Sequence, residues 1–140
     1  MDTLLVNHQK YKGAMPKQPL SNDISLSCVL GARDIIRPYL SPTPLRRYPS
    51  LDRRIGAEVY IKHENHNPTG TFKIRGGVTL MHHLAAGGTQ GVITYSTGNH
   101  GASVATSARM FGLSAVVVVP EGSNPLKIQA IKDAGAELIE

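Results

Sequence analysis

An α/β fold built on a parallel sheet follows from three features of the chain beyond Gly88. Short β-branched runs alternate there with stretches of helical period. The run "SAVVVVP" is apolar without interruption, the pattern of a strand covered on both faces. The helical stretches close on Gly112 and Gly135, each just ahead of the next strand. Strand, helix, strand, helix, strand in that order predicts parallel pairing with right-handed crossovers.

Taken from the start, residues 1–22 are polar, carry Pro16 and Pro19, and read as a flexible lead-in. Leu26, Val29, Leu30 and Ile36 then recur at helical spacing until Pro38 ends the pattern. "SPTPLRRYPS" holds three prolines and reads as extended or turning chain. "AEVYIKHE" alternates Val59 and Ile61 with Tyr60 and Lys62, a strand pattern, and "NHNPTGT" is a loop. Helical spacing returns through Ile74, Val78, Met81 and Ala85, with Gly87-Gly88 as the stop. "GVITYS" is a strand, "TGNHGASVATSARMFG" a helix, and "SAVVVVP" the next strand. "NPLKIQAIKDAG" is a helix with Asn124 as cap and Pro125 at its first position, and "AELIE" starts a third strand. The sequence stops at Glu140 inside that strand, so the expectation is an N-terminal part of a longer protein.

Composition excludes several classes. Of 140 residues, 41% are hydrophobic and 18% charged, a globular balance. The net charge of +5 comes from scattered basic residues such as Arg46-Arg47 and Arg53-Arg54, with no basic stripe interleaved with aromatics, so nucleic acid is not the expected partner. The single cysteine, Cys28, cannot form an internal disulfide and suits a reducing compartment; its apolar neighbours predict a buried thiol. Neither a signal peptide nor a bilayer-spanning apolar run is present, and a cytoplasmic protein is expected.

Two stretches carry chemical signals. In "NPTGTFKIRGG", Lys73 follows Phe72 at the junction of a Pro/Gly loop and a helix. A lysine attacks carbonyls only as the free amine, which needs desolvation or a nearby cation. Packing between Phe72 and the following helix would desolvate it, and the aromatic ring would suit a flat conjugated partner. In "STGNHG", Ser96 to Gly101, small and hydroxyl residues join a strand to a helix. Successive N–H groups at such a start bind carboxylate or phosphate, and ligands of open parallel sheets collect at the carboxyl ends of strands. Asn99 adds a side chain that both donates and accepts. An ordinary polar βα turn is the alternative.

Other sites fit less well. "HENH" spaces His63 and His66 three apart, whereas a zinc H-E-x-x-H needs them one helical turn apart, so no metal site is expected. His82 and His83 are adjacent and read as helix-surface residues. Lys73 is followed by Ile74 without P-loop glycine spacing, and "TGNHG" lacks both G-x-G-x-x-G and an acidic residue ending the next strand. A regulatory or degenerate ligand-binding homologue is the non-enzyme reading.

Together, "ENHNPTGTFKIRGG" and, some two dozen residues on, "STGNHG" resemble the fold type II pyridoxal-phosphate enzymes: threonine and serine dehydratases, serine racemases, threonine synthases and tryptophan synthase β relatives. The resemblance runs from about Pro42 to Glu140, and the dehydratase/racemase branch is nearest in layout. It implies parallel or mixed sheets flanked by helices, with residues 23–88 in the large cofactor domain and 89–140 opening an incomplete small domain. It implies pyridoxal 5'-phosphate bonded covalently to Lys73, Phe72 beside its pyridine ring and Asn99 on its phenolic oxygen. Ser96, Thr97, Gly98 and His100 would hold the substrate carboxylate. The implied reaction is α,β-elimination and deamination of serine, threonine or another β-hydroxy amino acid to a keto acid and ammonia, in a homodimer. Racemase and threonine synthase are the alternatives within the family.

Three departures from the family pattern matter. Thr71 stands where serine or alanine usually precedes the aromatic residue. Thr97 stands where racemases of this group carry a serine; threonine keeps the hydroxyl but has fewer rotamers, which counts against racemization and leaves elimination open. The family's glycine-rich phosphate cup and its partner for the pyridine nitrogen would lie beyond Glu140, so these 140 residues alone are expected to be inactive.

Overall fold

The computed structural model describes residues 24–96 and 98–140. The expected lead-in, 1–22, and Thr97 lie outside the described residues. Helix α1 spans Leu26–Ile36, opened by Ser25, whose hydroxyl accepts the Cys28 N–H. Leu26 and Val29 stay exposed, and only Ile35 and Ile36 pack inward, against Leu40, Ile74 and Val78. Cys28 shares this open face. It is exposed, which corrects the expectation of a buried thiol. Its apolar sequence neighbours misled because no other described element covers them.

The Pro-rich stretch divides in two. Leu45–Arg47 forms strand β1, as extended chain is expected there, while Pro49–Ile55 forms helix α2, which opens at the end of the stretch expected to be extended or turning. Pro49 sits in the first turn, where its missing N–H costs nothing. Gly56 ends the helix at φ 76°, a left-handed conformation that only glycine adopts freely. Strand β2 is shorter than its alternation suggests, Tyr60–Lys62, and pairs antiparallel with β1. The backbone of Val59 is instead spent on Asp52, whose carboxylate accepts its N–H at 2.8 Å.

The rest follows the predicted order. Helix α3 spans Lys73–Ala86, strand β3 Gly91–Tyr95, helix α4 Asn99–Met110 and strand β4 Ser114–Val118. Helix α5 spans Pro125–Asp133, and strand β5 Glu137–Ile139. Asn124 caps α5, its side chain accepting the Leu126 N–H at 2.9 Å. Strands β3, β4 and β5 pair parallel in that order.

The core lies between sheet and helices. Ile74, Val78 and Met81 of α3, Val104, Ala105 and Ala108 of α4, and Ile131 of α5 are buried with Ala115, Val117 and Val119. Full burial of each large side chain contributes about 1.5–3 kcal/mol. Register pairs Ile93 with Val116 and Tyr95 with Val118, placing them on the opposite face. There Ile93 and Tyr95 are exposed, so the described residues cover one sheet face, not the two that an unbroken apolar run predicts.

Candidate active site

Two helix starts carry the sequence-predicted residues. Before α3, residues 67–70 form a turn closed by the Gly70 N–H on the Asn67 carbonyl at 2.8 Å. The Thr71 hydroxyl then accepts the Lys73 backbone N–H at 3.3 Å, and Phe72 occupies the cap. Lys73 is the first residue of the helix and is exposed; Phe72 is 64% exposed. The packing of Lys73 between Phe72 and its helix, expected from sequence, is therefore not found among the described residues. Nor does the Lys73 amine enter an ion pair or hydrogen bond among the described side chains.

The second start is tied down by Ser96, which is buried at the end of β3. Its backbone N–H bonds the Val118 carbonyl at 3.0 Å, and its Oγ accepts the N–H groups of Gly98 at 3.2 Å and Gly101 at 2.9 Å. Both lone pairs of the hydroxyl are thus used, which leaves its O–H to donate. The Gly98 and Gly101 N–H groups are spent locally, so among the described residues of this turn the backbone donors left for an anion are those of Asn99 and His100. Both of those residues are exposed. Gly98 is buried and extended, and a Cβ on it would stand 2.9 Å from the Lys127 Nζ. A Cβ there would require the exposed Lys127 side chain to shift.

Helix α3 meets α4 at Gly77. A Cβ added there would lie 2.7 Å from the Ser107 Oγ and 2.8 Å from the Ser103 Oγ. Lys73 stands one turn before Gly77, and Asn99 one turn before Ser103. Further along, Met81 shares a cluster with Val104 and Ala108. The helix pair thus relates Lys73 to the Ser96–His100 turn through a tight contact of small residues.

"HENH" has a different role from the one its letters suggest. Among the described residues no metal-binding group of His, Cys, Asp and Glu exists. His63 Nε2 is hydrogen-bonded to the Tyr48 hydroxyl at 2.8 Å. The Glu64 carboxylate accepts from Arg75 Nε at 2.7 Å and Nη2 at 3.0 Å, from Thr43 Oγ1 at 2.6 Å and from Asn67 Nδ2 at 2.7 Å. These donors, the Arg75 guanidinium foremost, pull its pKa down from 4.5 to about 2 against the opposing effect of burial. His82 is half-buried with its ring edge-on to Phe111, while His83 is exposed. The surface placement expected for the pair therefore holds for His83 only.

Residues 36–140 match the model of a protein family described as pyridoxal-phosphate dependent enzymes. The chain belongs to that family. It is 37% identical over 112 residues to the L-threo-3-hydroxyaspartate ammonia-lyase of Saccharomyces cerevisiae, covering 79% of this chain and 34% of that enzyme. It is 33% identical over 125 residues to the biosynthetic L-threonine dehydratase of Haemophilus influenzae, covering 89% of this chain and 24% of that enzyme. Among solved structures it resembles the serine racemase of Dictyostelium discoideum with a TM-score of 0.74 and 30% identity, over 83% of this chain and 38% of that one. The chain thus spans a quarter to somewhat over a third of the length of these relatives.

The residues present fit the family's cofactor. Lys73 offers a primary amine with no competing partner among the described side chains, Phe72 an open aromatic surface, and Asn99 an exposed amide at a helix start. Sequence reasoning missed Glu64, Arg75, Thr43 and Asn67 as a unit. Only the Glu64–Arg75 pair left a trace in "ENHNPTGTFKIRGG", as an acid and a base eleven residues apart; Thr43 lies outside it.

Proposed function

We propose that this segment supplies the amine-bearing part of a pyridoxal-phosphate-dependent amino-acid lyase. The substrate is serine, threonine or another β-hydroxy amino acid, and the products are a keto acid and ammonia. One observation carries the reading: a lysine unpaired among the described side chains opens α3 one turn before its tight contact with α4, whose own start presents Asn99 and His100. Relatives named ammonia-lyase and threonine dehydratase support it.

When bound, the cofactor supplies an electron sink for the carbanion formed at the substrate α-carbon. This chain's residues do the rest. Lys73 would be the residue that holds the cofactor, and its amine, when free, would take the substrate α-proton at Nζ. Phe72 would pack beside the cofactor's ring, and Asn99 would hydrogen-bond its phenolic oxygen. Ser96, Thr97, Gly98 and His100 would hold the substrate carboxylate, with the Ser96 O–H and the backbone N–H groups of Asn99 and His100 free to donate to it. Residues 23–88 belong on this reading to a large cofactor domain and 89–140 to a smaller one, in a cytoplasmic homodimer.

The test uses the full natural chain that carries this segment. Loaded with pyridoxal phosphate, it should show an absorption band in the visible violet that borohydride bleaches, and Lys73→Ala should abolish the band. A colourless wild type, or a band that survives Lys73→Ala, overturns the reading. Ammonia release from β-hydroxy amino acids marks the lyase; enantiomer scrambling without ammonia marks a racemase instead.

A further inference from the structure

The geometry points to Glu64 as a positioning residue for Lys73, acting through a strap that closes the loop before α3 onto the helix's first turn. The inference rests on the reading of Lys73 as the cofactor-bearing amine. Lys73 sits at the end of a nine-residue excursion, 65–73, that begins beside Glu64 and runs into α3. Without a tie, the helix start would be free to fray, since its first N–H groups have no intrahelical partners.

The tie is built from both sides. Arg75, two residues beyond Lys73, reaches back eleven residues and grips Glu64 with two parallel bonds, from Nε and Nη2. That fork-to-fork geometry fixes direction as well as distance. Asn67 clamps the loop entry, its Nδ2 donating both to the Glu64 carboxylate at 2.7 Å and to the Glu64 carbonyl at 2.9 Å. Thr43 joins from β1's approach, donating to Glu64 Oε1 at 2.6 Å and accepting from Arg75 Nη2 at 3.3 Å. Lys62 on β2 in turn donates from Nζ to the Thr43 carbonyl at 2.5 Å. Thr43 and Asn67 are each only 6% exposed, and the Arg75 and Glu64 side chains 28% and 20%. A half-sheltered, four-bonded carboxylate is far less screened than a surface pair.

On this reading Glu64 acts through its neighbours, its carboxylate accepting from Arg75, Thr43 and Asn67. Its contribution is to hold the α3 start in one place, so that the Lys73 amine meets the cofactor aldehyde without first paying for loop ordering.

The experiment compares wild type, Glu64→Gln and Thr43→Val in the full natural chain. In cofactor-free protein, amide hydrogen exchange of residues 67–73 should speed up roughly ten- to a hundred-fold in Glu64→Gln and less in Thr43→Val, from the loss of charge-assisted bonds. Exchange in β4, 115–118, should stay unchanged. The violet band should also form more slowly on adding pyridoxal phosphate, with kcat lowered more than KM is raised. Exchange that rises equally in the loop and in β4, or does not rise, overturns the inference. So does unaltered band formation in Glu64→Gln. A colourless wild type would instead sink the enzyme reading, and the exchange contrast would still decide the strap.

Discussion

Gly76 and Gly77 are neighbours on α3, yet replacing each by alanine should change stability in opposite directions. An added Cβ at Gly76 meets nothing within 4 Å, and the residue is exposed. Alanine there gains helix propensity alone, about 0.8–1.0 kcal/mol. The same gain applies at Gly77, but its Cβ would stand 2.7 Å from the Ser107 Oγ, 2.8 Å from the Ser103 Oγ and 3.2 Å from the Ser103 carbonyl oxygen. Ser103 and Ser107 are both buried, so the methyl cannot displace them into water. Ser107 Oγ donates to the Ser103 carbonyl at 2.6 Å, and rotating it away forfeits a buried bond worth about 1 kcal/mol. Overpacking of this kind costs about 1–3 kcal/mol in its own right. The sum for Gly77→Ala is a net loss of about 1–3 kcal/mol, against a gain approaching 1 kcal/mol for Gly76→Ala. Urea unfolding midpoints of the full natural chain, read by circular dichroism, measure both. A Gly77→Ala midpoint at or above wild type would refute the tight helix contact on which the site's geometry depends.

Gly101→Ala should also destabilise, by about 1–3 kcal/mol, because its methyl would lie 2.9 Å from Val117 Cγ1 and 3.1 Å from Ile131 Cδ1 in a closed core; thermal melts read it. Asn124→Ala removes the α5 cap and should cost about 1 kcal/mol in the same assay, with Asn124→Asp close to wild type. Glu64 gives a pH signature. Its folded pKa, about 2, lies below its ordinary 4.5, so its stabilising contribution is full above pH 4.5 and fades as pH falls toward 2. The gap in urea midpoint between wild type and Glu64→Gln should therefore shrink across that window; a gap that is constant or widens would show that the carboxylate is not the stabilised species.

The second half of the fold was legible because its signals are local. Period changes mark β3, α4, β4 and α5 in turn, and Asn124 and Pro125 announce a helix start within two residues. Helix α2 was not legible. Three prolines in "SPTPLRRYPS" argue for extended chain, and only the position of Pro49 ahead of Gly56 hints that the last of them opens a seven-residue helix. Cys28 misled for the opposite reason: helical spacing of apolar residues says which face a helix would bury, not whether anything arrives to cover it. At the site, Lys73 and the Ser96–His100 turn announce themselves as a motif. The Glu64 cluster does not, because its partners Thr43 and Arg75 are separated from it by 21 and 11 residues. Such a network exists only once β1, the loop and α3 have come together.

Lys73 and Asn99 are both first residues of helices, and that has a mechanical consequence. Neither sits on a loop free to adapt, so the distance between them is set by how α3 and α4 lie against each other as rigid rods. Three separate contacts then govern three separate freedoms. Ser96 fixes the α4 start by taking the Gly98 and Gly101 N–H groups. Glu64 fixes the α3 start through Arg75. Gly77 against Ser103 and Ser107 fixes the spacing of the two rods. A methyl at Gly77 would push the helices apart by a few tenths of an ångström, within the range to which positioned catalytic groups are sensitive. It should therefore lower turnover beyond its effect on the folded fraction. Glu64→Gln, by contrast, loosens one helix end without moving the rods. Hydrogen exchange separates the two, since only Glu64→Gln should deprotect residues 67–73 while leaving the middle of α3 as it was.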